Sequence, residues 1–295
     1  MVITGLLLVA SFAQAKLQVF ACEPEWAALA KALGGDEVSV FSATTAMQDP
    51  HRIQARPSLI ARMRRADLVI CNGAGLEAGW LPVLLRRAAN PAVQVGKAGY
   101  FEAADYVSLI DIPHSVDRAG GDVHHQGDPH FHTDPRNIAK VALALTKRLR
   151  QLEPDKAGRY KSLADRFMQQ WQQAIHRWQR QAKALRGVPI VTQHKSWSYL
   201  INWLGLKEVA RLEAKPGVPP SAAYLEQLLR RLKQQPASMI LRAAYQPGRP
   251  SAWLAERSGL SVVTLPYTVG GNKAAVDLFG LFDETIRLLL QAVQS

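Results

Sequence analysis

Apolar and polar positions along this 295-residue chain alternate between short apolar runs and longer stripes of helical period. Residues 17–22, apolar except for Gln18, predict a strand. Pro24 opens a helix that the Gly34-Gly35 pair ends. A second strand is predicted over 37–41, a helix opening at Pro57-Ser58, a third strand over 67–71 and a short helix over 80–88. Another apolar run lies around 93–95. Asp134-Pro135 reads as a helix cap followed by proline at the first helical position, with the helix running to about Leu149.

Then comes the most periodic segment. Tyr160, Leu163, Phe167, Trp171, Ala174, Trp178, Ala182 and Leu185 step by three or four and form a single apolar stripe. Over 154–186, at about 1.5 Å per residue, this predicts a helix of about 50 Å, too long for one small lobe and suited to a rigid strut. Beyond it the first pattern restarts. Strands are predicted over 188–192, 238–241 and 261–265, and helices over 197–204 and 221–232. A last amphipathic helix carries Val276, Phe279, Phe282, Ile286 and Leu290. Strands alternating with helices imply parallel sheets. The expected class is therefore α/β, two lobes joined by a long rigid helix. The divisions are an N-terminal lobe over 16–153, the linking helix over 154–186 and a C-terminal lobe over 187–295.

Residues 1–15 stand apart. Val2 to Phe12 is apolar or small and Ala13-Gln14-Ala15 has the form of a cleavage site, so a secretory signal peptide is expected, with export to the periplasm. No Lys or Arg precedes the apolar run, and no cysteine directly follows the cleavage site, which argues against a lipid anchor. Export makes a disulfide between the two cysteines, Cys22 and Cys71, chemically possible. They end the first and third strands, which are neighbours in a doubly wound sheet. Two free buried thiols are the alternative.

Net charge is +12, with 48% hydrophobic and 20% charged residues, the balance of a folded globular protein. The basic residues are spread over helical segments such as Arg62-Arg64-Arg65, with no aromatic interleaving, so solvated helix faces are expected and no nucleic-acid partner.

The candidate chemistry is a histidine set. Four of the eight histidines (His124, His125, His130 and His132) crowd one Gly/Pro loop. Asp128-Pro129-His130 there repeats the earlier Asp49-Pro50-His51. His194 follows the first strand of the second half. In parallel sheets, ligands bind beyond the carboxyl ends of strands, and neutral imidazoles suit Zn²⁺. His51, His130 and His194 are the expected metal ligands, with the ion held between lobes.

The Asp-Pro-His loop, the stretch from Ala66-Asp67-Leu68-Val69 through Asn72-Gly73, Leu76-Glu77 and Trp80, the Gly127-Asp128-Pro129-His130 turn, and Gln193-His194 followed by Trp197-Ser198-Tyr199-Leu200 resemble the cluster A-I substrate-binding proteins of metal ABC importers, the ZnuA-like group. The resemblance spans nearly the whole chain after residue 15. It implies two lobes on a rigid helix, one buried transported metal, and delivery to an ABC importer's membrane permease with its ATPase; a monomer is expected. It carries the ligands to His51, His130 and His194. Histidine at the third position tends to mark zinc proteins of the group, and nitrogen donors favour Zn²⁺ over Mn²⁺.

The resemblance also implies an Asp ligand just before the last helix, and here residues 265–271 hold no carboxylate. Water, Asp277 or His132 are the candidates for the fourth position, with a three-histidine site completed by water or another ligand preferred. His114, His124 and His125 stand where zinc-specific relatives carry a longer histidine-rich loop, and suggest a weak accessory site. The rival readings are a three-histidine zinc hydrolase, which lacks a general base beside the histidines, and a metal-binding adhesin or chaperone.

Overall fold

The computed structural model describes residues 15–113, 121–122 and 124–294. The expected signal segment other than Ala15, and His114, lie outside the described residues.

The first sheet is built from β1 (Leu17–Ala21), β2 (Val38–Ser42), β3 (Leu68–Cys71) and β4 (Tyr100–Glu102), ordered β2-β1-β3-β4 and all parallel. The second contains β5 (Pro189–Thr192), β6 (Lys207–Arg211), β7 (Met239–Ala243) and β8 (Ser261–Leu265), ordered β6-β5-β7-β8 and again all parallel. Both are α/β sheets covered on two faces, which is why β3 reads Leu-Val-Ile-Cys with every residue buried. Successive residues serve different cores. Leu68 and Ile70 face the central one, whereas Val69 and Cys71 face an outer one.

The outer face of the first sheet carries α2 (Pro57–Arg64) and α3 (Leu81–Ala88). The outer face of the second carries α7 (Ala222–Gln234) and α8 (Arg249–Ser258). The central core is continuous across both halves. It is filled by α1 (Pro24–Gly34), α4 (Pro135–Leu152), α5 (Ala157–Gln181), α6 (Ser198–Leu204) and α9 (Leu278–Gln294).

The long helix is present, with its first and last turns tightened to 3₁₀ over Pro154–Lys156 and Ala182–Leu185. Of the eight stripe residues, all but the half-buried Leu163 are buried. The α5 segment is about 38 Å long at 1.5 Å per residue. Trp171 Nε1 donates to Pro135 O at the start of α4 (2.8 Å), and Trp178 Nε1 donates to Asp283 Oδ1 of α9 (2.5 Å). These bonds fix the strut to helices of both halves, and the rings of Phe279 and Phe282 pack against Trp171.

Two strands go beyond the sequence-based expectation. The fourth strand of the first sheet is β4, which no apolar run marks; the run at 93–95 begins in a 3₁₀ turn over Pro91–Val93 and continues as turn. The edge strand β6 carries Lys207, Glu208 and Arg211, and its polar residues hide its strand character. Among the described residues, no helix is long and apolar enough to cross a membrane.

Candidate functional site

Every expected ligand lies in a loop beyond the carboxyl end of a strand. His51 follows β2, His130 follows β4 and His194 follows β5. The structure brings the three together. The ring centroids of His51 and His130 are 5.8 Å apart, those of His130 and His194 5.9 Å, and those of His51 and His194 6.2 Å.

The repeated Asp-Pro-His has a physical meaning. Asp49 Oδ1 accepts both the backbone N–H of His51 (3.0 Å) and its Nδ1–H (2.8 Å). Asp128 Oδ1 does the same for His130, at 2.8 and 2.6 Å. Each carboxylate closes a local turn and fixes its imidazole with Nδ1 protonated and the Nε2 lone pair free. His194 reaches the same state by another route. Its Nδ1 meets Glu213 Oε2 at 2.6 Å, and that oxygen also accepts Gly217 N–H at 2.7 Å.

A fourth imidazole completes the group. His124 Nε2 is 3.2 Å from His51 Nε2. Two nitrogens on one tetrahedral Zn²⁺, each at about 2.0–2.1 Å, would be about 3.3 Å apart. His124 sits over Gly75, whose φ is +81°; a Cβ there would lie 3.4 Å from His124 Nδ1. The sequence suggests His124 for a weak accessory site, whereas the structure places it beside His51; no Asp-Pro precedes it, and its place depends on a glycine 49 residues earlier.

The other candidates for the fourth position lie elsewhere. His132 Nε2 donates to Tyr267 O at 3.1 Å, and its Nδ1 is 3.5 Å from Glu25 Oε1. Asp277 is exposed and caps α9 by accepting Gly280 N–H at 2.8 Å. His125 is exposed.

The remaining motif residues hold the ligand loops. Asn72 Nδ2 donates to Pro129 O at 2.8 Å, just before His130, and Trp80 Nε1 donates to Pro50 O at 2.8 Å, just before His51. Glu77 accepts the backbone N–H groups of Asn72 and Gly73, at 2.6 and 3.1 Å, and so shapes the loop both depend on.

Burial favours the neutral form of His124 and His130, the state that binds metal. Burial lowers the His124 pKa to about 3, helped by repulsion from His51 and His130. Burial also lowers His130, to about 4, despite the opposing pull of Asp128. Burial alone would raise Asp49 and Asp128, but hydrogen bonds and charge from their histidines outweigh it and hold both carboxyls low. His130 Nε2 is buried with no hydrogen-bonding partner. A narrow cleft of about 80 Å³, lined by His124, His130, Asp111, Asp122 and Lys195 among others, leads to the cluster.

Contacts between the two halves surround the cluster. Tyr199 O–H donates to Asp128 O (2.9 Å) and accepts from Ile110 N–H (3.1 Å). Arg52 donates to Gly217 O at 3.3 Å, and the Thr268 hydroxyl bonds Glu25. Cys22 and Cys71 form a disulfide, joining the ends of β1 and β3.

Comparison with known proteins agrees with this frame. The chain is 25% identical over 216 residues to the zinc-binding lipoprotein AdcA of Streptococcus pneumoniae, covering 71% of this chain and 42% of that longer protein. It is 23% identical over 262 residues to the manganese ABC transporter substrate-binding lipoprotein PsaA of the same species, covering 86% of this chain and 80% of that one. A crystal structure of ZnuA superposes with a TM-score of 0.77 at 21% identity, covering 93% of this chain and 98% of the other, and so shares the fold. The model of the ZnuA family, described as zinc-uptake complex component A, periplasmic, matches residues 19–292. The chain belongs to that family of metal-binding transport components.

Proposed function

We propose that this protein captures Zn²⁺ between its two lobes and hands it to the membrane permease of an ABC importer driven by its ATPase. His51, His130 and His194 are ligands in this reading, and His124 is the fourth. The observation that carries it is the convergence of four imidazoles, three of them fixed at Nδ1 by a carboxylate. An all-nitrogen set favours Zn²⁺ over Mn²⁺, which prefers oxygen donors. The lobes correspond to 16–153 and 187–295, joined by 154–186, and the protein acts as a periplasmic monomer after removal of residues 1–15.

The same geometry argues against a hydrolase. A catalytic zinc keeps an open coordination position for water, and four imidazoles leave none. Asp49, Asp128 and Glu213 are committed to the Nδ1 side of the rings, away from the ion.

The test is titration of metal-stripped protein with Zn²⁺ against a competing chelator, with Mn²⁺ in parallel. One tight Zn²⁺ per chain and weak Mn²⁺ are expected. Equal affinity for the two ions would overturn the zinc assignment, and no tight site would overturn the cluster as a binding centre.

A further inference from the structure

The disulfide lies in unusual company. The two sulfurs of Cys22 and Cys71 and a carboxylate oxygen of Glu77 lie within 4.8 Å of one another, all buried. Glu23, the residue after Cys22, is 3% exposed, and neither of its carboxyl oxygens has a hydrogen-bonding partner. A buried carboxyl without a donor costs stability unless something else meets it. Each Glu77 oxygen accepts one backbone N–H and keeps lone-pair capacity. Two sulfurs and a carboxylate, with a second carboxyl alongside, are a donor set that a thiophilic d¹⁰ ion accepts. This group contains no histidine and is distinct from the four-imidazole cluster.

We propose that Cys22, Cys71 and Glu77, with Glu23 beside them, form a second cation site when the disulfide is reduced, taking Zn²⁺ or a similar thiophilic ion. In an exported protein the reductant is a protein dithiol. It gives two electrons and two protons to the disulfide and is itself oxidised to a disulfide, leaving two thiols here. Binding one divalent ion then displaces both thiol protons and forms two metal–thiolate bonds. Sulfurs that staple β1 to β3 in the oxidised state staple them through the ion in the reduced one.

Co²⁺ is a suitable probe, because sulfur ligation gives it a charge-transfer absorption in the near ultraviolet that imidazole ligation does not. The full chain is reduced anaerobically with a phosphine, which takes oxygen from water to become the phosphine oxide while the two sulfurs gain the protons. Reduction is done once on the native protein and once in denaturant followed by refolding with Co²⁺ present, so that access to buried sulfur is not limiting. Reduced protein is expected to bind two Co²⁺ per chain with the sulfur band, and oxidised protein one without it. Cys22→Ser should lose the second ion and the band, and Glu77→Gln should weaken the second ion at least tenfold. Reduced protein that regains the native circular dichroism but binds one ion with no sulfur band overturns the proposal. An unchanged second affinity in Glu77→Gln removes Glu77 from the site. Failure of the four-histidine site would change only the ion without the band, so the two results are distinguishable.

Discussion

The two sheets share one strand order and one direction, yet they divide the chemistry unequally. The first sheet's loops supply His51, His124 and His130, and its strands carry the Cys22–Cys71 bond. The second sheet's loops supply His194 alone, and neither cysteine. The support differs too. His51 and His130 each take their carboxylate from two residues back, whereas His194 takes Glu213, 19 residues on and beyond β6. The first half thus holds two imidazoles in self-sufficient turns and a third against Gly75, and the second adds one that depends on the packing of two loops. Under the proposed function, a site built this way gathers metal on one half and closes with the other. Identical topology places loops but does not decide which loops carry ligands.

The largest expected effect concerns the stapled half. The disulfide spans 49 residues, and closing a loop of that length lowers unfolded-chain entropy by about 4 kcal/mol on the chain-entropy model. A Cys22→Ala/Cys71→Ala double variant should lose about 2–4 kcal/mol in chemical denaturation without metal. A loss under about 0.5 kcal/mol would mean that the first half does not depend on its staple.

Next come the ligands. His130→Ala should weaken Zn²⁺ binding by at least about a hundredfold, beyond the usual cost of losing an outer partner. His194→Ala should cost less, about tenfold, because three imidazoles remain on one half and water can take the fourth position. Competition titrations of both variants test the asymmetry. Equal losses would show that the halves contribute alike, and wild-type affinity in both would remove the cluster as the metal site.

The carboxylates behind the ligands follow. Asp128→Asn and Glu213→Gln keep the size of the group but lose the charge that fixes the Nδ1–H tautomer, and each should cost about tenfold in affinity. Asp128 also closes the His130 turn through a backbone N–H. Its loss should therefore raise the dissociation rate of Zn²⁺ more than the loss of Glu213, which stopped-flow chelator exchange would measure.

These differences mirror what the sequence could reveal. The α/β class, the parallel sheets and the strut were legible because buried strands and a long helix leave strong periodic signals. β4 and β6 were not, because β4 has three residues and β6 is a charged edge. His51 and His130 stood out because their carboxylates are local and repeat as Asp-Pro-His. Glu213 carries no such mark, since its partner is reached only after β6 pairs with β5. His124 is placed by Gly75 across the loop that Asn72 and Glu77 shape, a contact no local pattern encodes.

The smallest expected effect is the most discriminating, because it compares two histidines two residues apart. His130 and His132 are 2% and 1% exposed, so burial does not separate them. What separates them is where the second ring nitrogen points. His130 spends Nδ1 on Asp128 and leaves Nε2 free toward the other imidazoles. His132 spends Nε2 on Tyr267 O, turns Nδ1 toward Glu25, and sets its ring edge-on to Tyr267 with centroids 4.7 Å apart. It therefore ties the loop after β8 to the first half and turns its remaining ring nitrogen to Glu25 rather than to the other imidazoles. His132→Phe keeps the ring packing and loses one hydrogen bond, worth about 1 kcal/mol of stability. Its Zn²⁺ affinity should stay within about threefold of wild type while its thermal midpoint falls by a few degrees. A loss of affinity matching that of His130→Ala would place His132 among the ligands and require the loop to rearrange around the ion.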